Sequence, residues 1–222
     1  MRIGIAVCLL LVAGCATAPV VRQQCYDPDA QLAQALRSLE EARAEGCDTA
    51  RRGAECERHR RELARLTVVC PAHAPILLAN AVLAYDEQRR TESQQLLDLI
   101  LAQSRPVPDA AVLRARIAIE EGNVPFARRL MEQQIRLVPD HAGLHETYAS
   151  ALYLEGRLPD AVTQLTMAGM LGAPRWRIAY HLGLIEEASG RTDEASRLYA
   201  EALQQNPGWA PAESRLKALR AR

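Results

Sequence analysis

Apolar residues in the C-terminal half of the chain recur with helical spacing. In segment 176–209, Ile178, Leu182 and Ile185 lie three to four residues apart, which predicts an amphipathic helix. Gly190 interrupts the pattern where a turn with positive φ would suit glycine, which lacks a Cβ. A second apolar stripe follows before Pro207: Ala195, Leu198, Tyr199, Ala202, Leu203. The segment therefore predicts two helices joined by a tight turn.

The same pattern repeats every 34 residues. Gly122, Gly156 and Gly190 are spaced by that period, and an alanine follows each glycine by five residues. Small residues recur where the two helices must approach closely: Ala81, Ala115, Ala149, Gly183. Larger residues recur where space must be filled: Leu97, Met131, Leu165, Tyr199. A fixed period of this length is typical of a helical solenoid.

The positions that recur every 34 residues, which we call columns, resemble those of the tetratricopeptide repeat. Unit 176–209 carries the fullest match, at Leu182, Gly183, Gly190, Ala195, Tyr199, Ala202 and Pro207. Units 142–175 and 108–141 match with two departures, a proline one place late at Pro174 and Arg114 where an apolar residue is usual. Unit 74–107 is degenerate, with Gln88 in the glycine column. The resemblance implies an all-α, right-handed solenoid of antiparallel helix hairpins, and residues 210–222 predict a helix that caps its C-terminal end.

Residues 1–14 predict a signal peptide. An apolar stretch of about ten residues follows Arg2 and is too short to span a bilayer of roughly 30 Å. Val12-Ala13-Gly14-Cys15 resembles the lipobox of bacterial lipoproteins, which implies lipidation of Cys15 and a membrane anchor. By the enteric sorting rule, Ala16 implies the outer membrane, with the protein facing the periplasm. The alternative is an ordinary secretory signal in which Cys15 is incidental.

Residues 15–24 predict a short tether, and residues 25–73 a helical hairpin that caps the N-terminal end of the repeats. Its helices are predicted over 27–46 and 49–69, with Leu32, Leu36 and Leu39 along one stripe. The second helix is dense in charge, which is typical of a solvated face with local ion pairs. A docking surface for an acidic partner or for lipid head groups is the alternative.

The cap holds four of the six cysteines; the other two are Cys8 in the signal peptide and Cys15 in the lipobox. In an antiparallel hairpin the start of the first helix lies beside the end of the second, which pairs Cys25 with Cys70. Cys47 and Cys56 flank the turn and would pair with each other. Structural disulfides suit an exported protein. A metal site or a redox pair remains the alternative, although the chain lacks a C-x-x-C motif.

The composition and the absence of known motifs argue against nucleic-acid binding, metal binding and catalysis. A formal net charge of zero argues against a nucleic-acid partner, which needs a basic surface. His141 and His145 have the spacing of helical metal ligands but lack a third ligand at fixed spacing. No catalytic motif is present, so we expect neither a cofactor nor an enzyme. Trp176 and Trp209 lie 33 residues apart at the two ends of unit 176–209, where inter-repeat packing is favoured over a ligand cage.

The resemblance also implies where a partner would bind. In this family the concave face is lined by the first helix of each unit, and the family's terminal-carboxylate clamps use lysines and asparagines there. The corresponding positions here are Leu78, Val82, Tyr85, Val112, Arg116, Ile119, Glu146, Ser150, Tyr153, Arg177, Tyr180, Leu184 and Glu187. This set lacks lysine and asparagine and is apolar and aromatic, which favours a segment of another protein. Arg116, Tyr153 and Tyr180 are the expected hot spots, with little cost in stability when truncated.

The leading hypothesis is therefore a lipid-anchored scaffold that binds another envelope protein. Lipoproteins of this kind resemble pilus-secretin pilotins, outer-membrane assembly subunits and regulators of wall synthesis. A glycan-binding module, with Tyr85, Tyr153 and Tyr180 stacking on sugar rings, is the second hypothesis. An enzyme with an unrecognised site is the third.

Overall fold

The computed structural model describes residues 25–46 and 50–221, without the side chains of residues 50–52 and 55. Regular structure within these ranges is helical throughout, which confirms the all-α prediction. The helices are α1 (Pro28–Ala44), α2 (Ala50–Val69), α3 (Ala74–Asp86), α4 (Arg90–Leu101), α5 (Pro108–Glu120), α6 (Val124–Leu137), α7 (Ala142–Leu154), α8 (Leu158–Met170), α9 (Arg175–Ala188), α10 (Thr192–Gln205) and α11 (Ala210–Arg220).

Helices α3 to α10 form four successive hairpins. Helices α3, α5 and α7 begin at the first residues of their predicted units, and α9 begins one residue before its unit. The turn glycines Gly122, Gly156 and Gly190 have φ of 80°, 74° and 78°, a left-handed conformation that costs glycine little. Gln88 has the same kind of conformation, with φ of 62°. The degenerate first unit therefore keeps the turn geometry without the glycine.

The residues of the two sequence columns pack inside the hairpins, where the two helices of each unit meet. Ala81, Ala115, Ala149 and Gly183 are all buried, and so are Leu97, Met131, Leu165 and Tyr199. Arg114, the polar departure, lies with its guanidinium 4.7 Å from the ring centroid of Phe126 and its Nε 2.9 Å from Oδ1 of Asp98. Its aliphatic stem thus fills an apolar position, while its guanidinium pairs with the exposed carboxylate of Asp98.

The N-terminal cap packs directly onto the first unit. Leu32, Leu39 and Leu63 share a core cluster with Ile76 of α3. The side-chain amide of Asn80 joins the two parts, because it donates to the carbonyl oxygen of Leu63 at 3.0 Å and to Oγ1 of Thr67 at 2.9 Å.

Cysteine pairing in the cap follows the hairpin. Cys25 and Cys70 form the predicted disulfide, which closes a sequence separation of 45 residues. Cys56 is also disulfide-bonded. Its predicted partner, Cys47, lies outside the described residues, so that pairing stays a prediction.

Helix α11 covers the end of the last unit. Ala212 packs with Ala179, Leu198 and Ala202, and Leu216 packs with Ala195 and Tyr199. The C-terminal helix therefore shields the apolar surface that the last hairpin would otherwise expose.

Candidate partner-binding groove

The first helices of three consecutive units enclose a cavity of about 520 Å³. Its lining comes from α5, α7 and α9 together with Trp209, which precedes α11: Val112, Arg116, Ile119, Glu120, Gly143, Glu146, Thr147, Ser150, Trp176, Arg177, Tyr180, His181, Trp209. We call this cavity the groove. Of the thirteen predicted partner-binding residues, seven line it: Val112, Arg116, Ile119, Glu146, Ser150, Arg177, Tyr180. The volume lies within the range that ligand-binding clefts commonly have.

The other six predicted residues lie outside the groove lining. Leu78, Val82 and Tyr85 are on α3. Tyr153 packs into a core cluster with Ala149 and Ile185. Leu184 packs beside Leu216 of α11, and Glu187 accepts a hydrogen bond from Oη of Tyr199 at 2.9 Å. The contact between Leu184 and Leu216 arises because α11 covers the surface that a further unit would leave open.

Three aromatic side chains form one wall of the groove. The ring centroids of Trp176 and Trp209 are 4.7 Å apart at an interplanar angle of 74°, and those of Tyr180 and Trp209 are 4.5 Å apart at 68°. Such edge-to-face contacts stabilise aromatic pairs. The tryptophans therefore pack between units, as the sequence favoured, and they also line the cavity, which the sequence reasoning missed.

An ion pair between the buried carboxylate of Glu146 and the partly exposed Arg177 crosses the groove floor from α7 to α9. Nη2 of Arg177 contacts Oε2 of Glu146, and Nε2 of His181 lies 3.3 Å from Oε1. Burial alone would raise the pKa of Glu146, but the hydrogen bonds and charges of His181 and Arg177 outweigh it and lower that pKa below its ordinary value. Glu146 is thus an ionised carboxylate that links two consecutive units.

A second polar cluster lies at the α3–α5 end of the groove. Glu120 accepts a hydrogen bond from Oη of Tyr85 and pairs with Arg90. Arg116 lies with its guanidinium 5.4 Å from the Tyr85 ring centroid and its Nε 3.5 Å from Oε1 of Glu120. The side chain of Arg116 is 64% exposed, so it presents a positive charge toward solvent at the groove.

His141 and His145, which have the spacing of helical metal ligands, are bonded to protein groups instead. His145 is hydrogen-bonded to Oε1 of Gln164 at 2.7 Å and to the carbonyl oxygen of Pro139 at 2.8 Å. Nε2 of His141 lies 3.3 Å from Oδ1 of Asp109 on α5. Among residues 25–46 and 50–221, no group of three or more potential ligands could hold a metal ion.

Local ion pairs occupy much of the charged face of α2. Arg65 pairs with Glu62, and Arg60 and Arg61 both pair with Glu57. Arg60 also contacts Glu87 at the end of α3. This cap surface is therefore a network of alternating charges rather than a uniformly basic patch.

Cys15 and the lipobox lie outside the described residues. Within the part of the chain that the structure covers, every helix is too short or too polar to cross a bilayer.

Comparisons with known proteins identify the fold. No family model matches the chain. The curated bovine (Bos taurus) tetratricopeptide repeat protein 36 is 33% identical over 97 residues, which cover 42% of this chain and 52% of the bovine protein. The chain thus spans about half the length of that relative.

Solved structures give a longer match. A tetratricopeptide-repeat protein of Thermus thermophilus superposes with a TM-score of 0.68 at 18% identity, over 86% of this chain and 100% of that one. PilF of Pseudomonas aeruginosa gives 0.62 at 16% identity, over 87% and 81%. YrrB, a repeat protein with an unusual peptide-binding site, gives 0.54 at 13% identity, over 81% and 98%. The chain therefore folds as a solenoid of tetratricopeptide repeats.

Proposed function

We propose that this protein is a lipid-anchored scaffold that faces the periplasm and holds another envelope protein in the groove. The groove carries the proposal, because it combines an aromatic wall with charged side chains at its floor and edge. Aromatic residues and arginine are the side chains that most often dominate protein–protein affinity. A solenoid of this fold also offers its concave surface to extended partners.

The anchor rests on the sequence before the described residues. The lipobox motif at Cys15 would attach acyl chains, and two or more chains give stable membrane binding. At about 3.3–3.6 Å per residue, the nine residues after Cys15 reach roughly 30 Å. The groove would then present its partner close to the membrane, and Ala16 favours the outer membrane.

Glycan binding has less support from the same side chains. The ring of Tyr85 lies against the guanidiniums of Arg116 and Arg90, with centroid distances of 5.4 and 5.9 Å. Tyr153 packs in a core cluster, and Tyr180 packs edge-to-face against Trp209. Stacking on a sugar needs a free ring face, which these contacts limit.

An enzymatic role also finds little support in the groove. His181 and Glu146 lie close together, and Ser150 lines the same cavity. However, the Ser150 hydroxyl donates to the backbone carbonyl of Glu146 at 3.1 Å. A nucleophilic serine would instead be hydrogen-bonded to the base that activates it.

Site-specific photocrosslinking in cells tests the proposal. A photoreactive residue replaces Ser150, which lines the groove, or Thr163, which is exposed on α8 and makes the same kind of helical backbone hydrogen bond. We expect the Ser150 position to yield a discrete protein adduct in the membrane fraction and the Thr163 position to yield none. No adduct from Ser150, or equal adducts from both positions, would contradict the proposal.

A further inference from the structure

We infer that the groove accepts an internal segment of its partner in which an acidic side chain adjoins a large apolar one. This inference rests on the proposed function, because it specifies the chemistry of the segment that the groove would hold. The guanidiniums of the groove and its aromatic wall carry the inference.

The charge balance of the groove leaves one cation without a full counterpart. Glu120 is engaged by Tyr85 and Arg90, and Glu146 by Arg177 and His181. Within the lining, the guanidiniums of Arg116 and Arg177 face the carboxylates of Glu120 and Glu146, but Glu120 is shared with Arg90, which lies outside the lining. Arg116, with one 3.5 Å contact to this shared carboxylate and a side chain that is 64% exposed, is the least compensated cation. An acidic partner residue complements it.

Arg177 is a second guanidinium in the groove lining. Its Nη2 contacts Glu146, and its side chain remains 39% exposed. A partly exposed guanidinium can donate to an arriving carboxylate or carbonyl oxygen. The groove floor can therefore receive an acceptor group.

The walls on either side of these cations are apolar. Val112 and Ile119 lie on α5 with Arg116, and Trp176 and Tyr180 lie on α9 with Arg177. Trp209 extends the α9 side. A segment held between α5 and α9 would thus place one side chain near a guanidinium and a neighbouring one against apolar surface. The lining contains no lysine or asparagine, so the clamp residues that this family uses for a terminal carboxylate are missing.

Both tryptophans of the chain line the groove, which provides a direct readout. The full-length protein in detergent is titrated with pools of blocked ten-residue peptides, acetylated and amidated, and tryptophan emission is recorded. One pool pairs Asp or Glu with Leu or Phe, and two others carry Gln or Lys in place of the acid. We expect the acidic pool to bind roughly tenfold more tightly than the glutamine pool, with a preference that weakens as salt rises.

Charge reversal tests the role of Arg116 apart from any structural effect. Arg116→Glu is expected to transfer the preference from the acidic pool to the lysine pool. Arg197→Glu, at an arginine with 62% side-chain exposure on α10, is the matched control and should leave the preference unchanged. Rescue by the lysine pool requires a folded groove, so misfolding cannot mimic it.

Two results would overturn the inference: equal binding of the acidic and glutamine pools, or an unchanged preference in Arg116→Glu. If Ser150 still crosslinks a partner in cells, these results leave the proposed function standing and reject its acidic–apolar specificity. Absence of the crosslink would instead reject the proposed function itself.

Discussion

The backbone of Gly183 lies directly against the aromatic ring of Tyr199. A Cβ built on Gly183 would stand 2.6 Å from Cε1 of that ring, and Tyr199 is fully buried. The Tyr199 hydroxyl also donates a hydrogen bond to Glu187. Burial together with this hydrogen bond raises the pKa of the phenol. One glycine thus creates the space that the largest buried side chain of the last unit occupies.

Gly183→Ala is therefore expected to destabilise the protein by about 1–3 kcal/mol, because a packed aromatic ring must shift. Chemical denaturation measures the change. Gly169→Ala is the matched control: its Cβ would meet only Ile178, at 4.0 Å, and alanine should stabilise that helix slightly. Adding Tyr199→Leu to Gly183→Ala should cost less than the sum of the two single changes. Additive costs would show that the two residues do not compete for space.

The turn of the degenerate unit offers a stabilising substitution. Gln88 has φ of 62°, a conformation that costs a residue with a Cβ roughly 1 kcal/mol. Gln88→Gly should therefore raise the free energy of unfolding by up to about that amount, as thermal or denaturant unfolding would measure. The reverse change, Gly122→Gln, should lower it similarly, since a Cβ there meets nothing within 4 Å and only φ is at stake. A loss of stability in Gln88→Gly would refute this explanation.

The fold was predictable because the same backbone requirements recur in every unit. A left-handed turn selects glycine at Gly122, Gly156 and Gly190, and close helix approach selects the small column at Ala81, Ala115 and its equivalents. Gln88 and Arg114 break the pattern but keep the local geometry. Gln88 adopts the left-handed φ of the turn, and Arg114 buries its aliphatic stem at an apolar position.

The groove was predictable only in part, because positions carried over from a family assume identical neighbours. The last unit is followed by α11, so Leu184 and Glu187 meet Leu216 and Arg215 instead of a partner. Tyr153 and Tyr180 pack against other side chains, so truncation of either should cost stability, contrary to the sequence expectation. Tyr180 also lines the groove, so its truncation should cost binding as well. Trp209 enters the groove from the loop before α11, a position that no repeat column specifies.

The buried carboxylate of Glu146 predicts a pH dependence. Its folded-state pKa lies below the ordinary value of 4.5, so its stabilisation is complete above about that pH and is lost as the pH falls through the lower folded value. At pH 7, Glu146→Gln should lower the free energy of unfolding by roughly 1–3 kcal/mol. Denaturant unfolding should show this difference shrinking as the pH falls below 4.5. Glu40→Gln, at an exposed position on α1, is the control, and a pH-independent effect of Glu146→Gln would contradict the ion-pair account.

The proposed anchor depends on one thiol. Cys15→Ser should abolish metabolic palmitate labelling and leave a precursor of unchanged length, because the acylated sulfur and the cleavage site are lost together. Cys8→Ser, within the predicted signal peptide, is the control and should leave labelling intact. Labelling of Cys15→Ser at the wild-type level would remove the lipoprotein proposal.

Partner recovery from cells tests the central claim, binding in the groove, most directly. Arg116→Ala combined with Thr147→Arg removes the exposed guanidinium of Arg116 and fills the groove with a bulky side chain. The control variant combines Arg197→Ala on α10 with Thr163→Arg on α8. It is matched because Thr147 and Thr163 each donate a hydrogen bond to the carbonyl oxygen four residues earlier. The side chains of Arg116 and Arg197 are also similarly exposed, at 64% and 62%. We predict that the groove variant loses its crosslinked partner while its thermal midpoint stays within a few degrees of the control's. Full partner recovery by the folded groove variant would contradict the account and move the binding surface away from the groove.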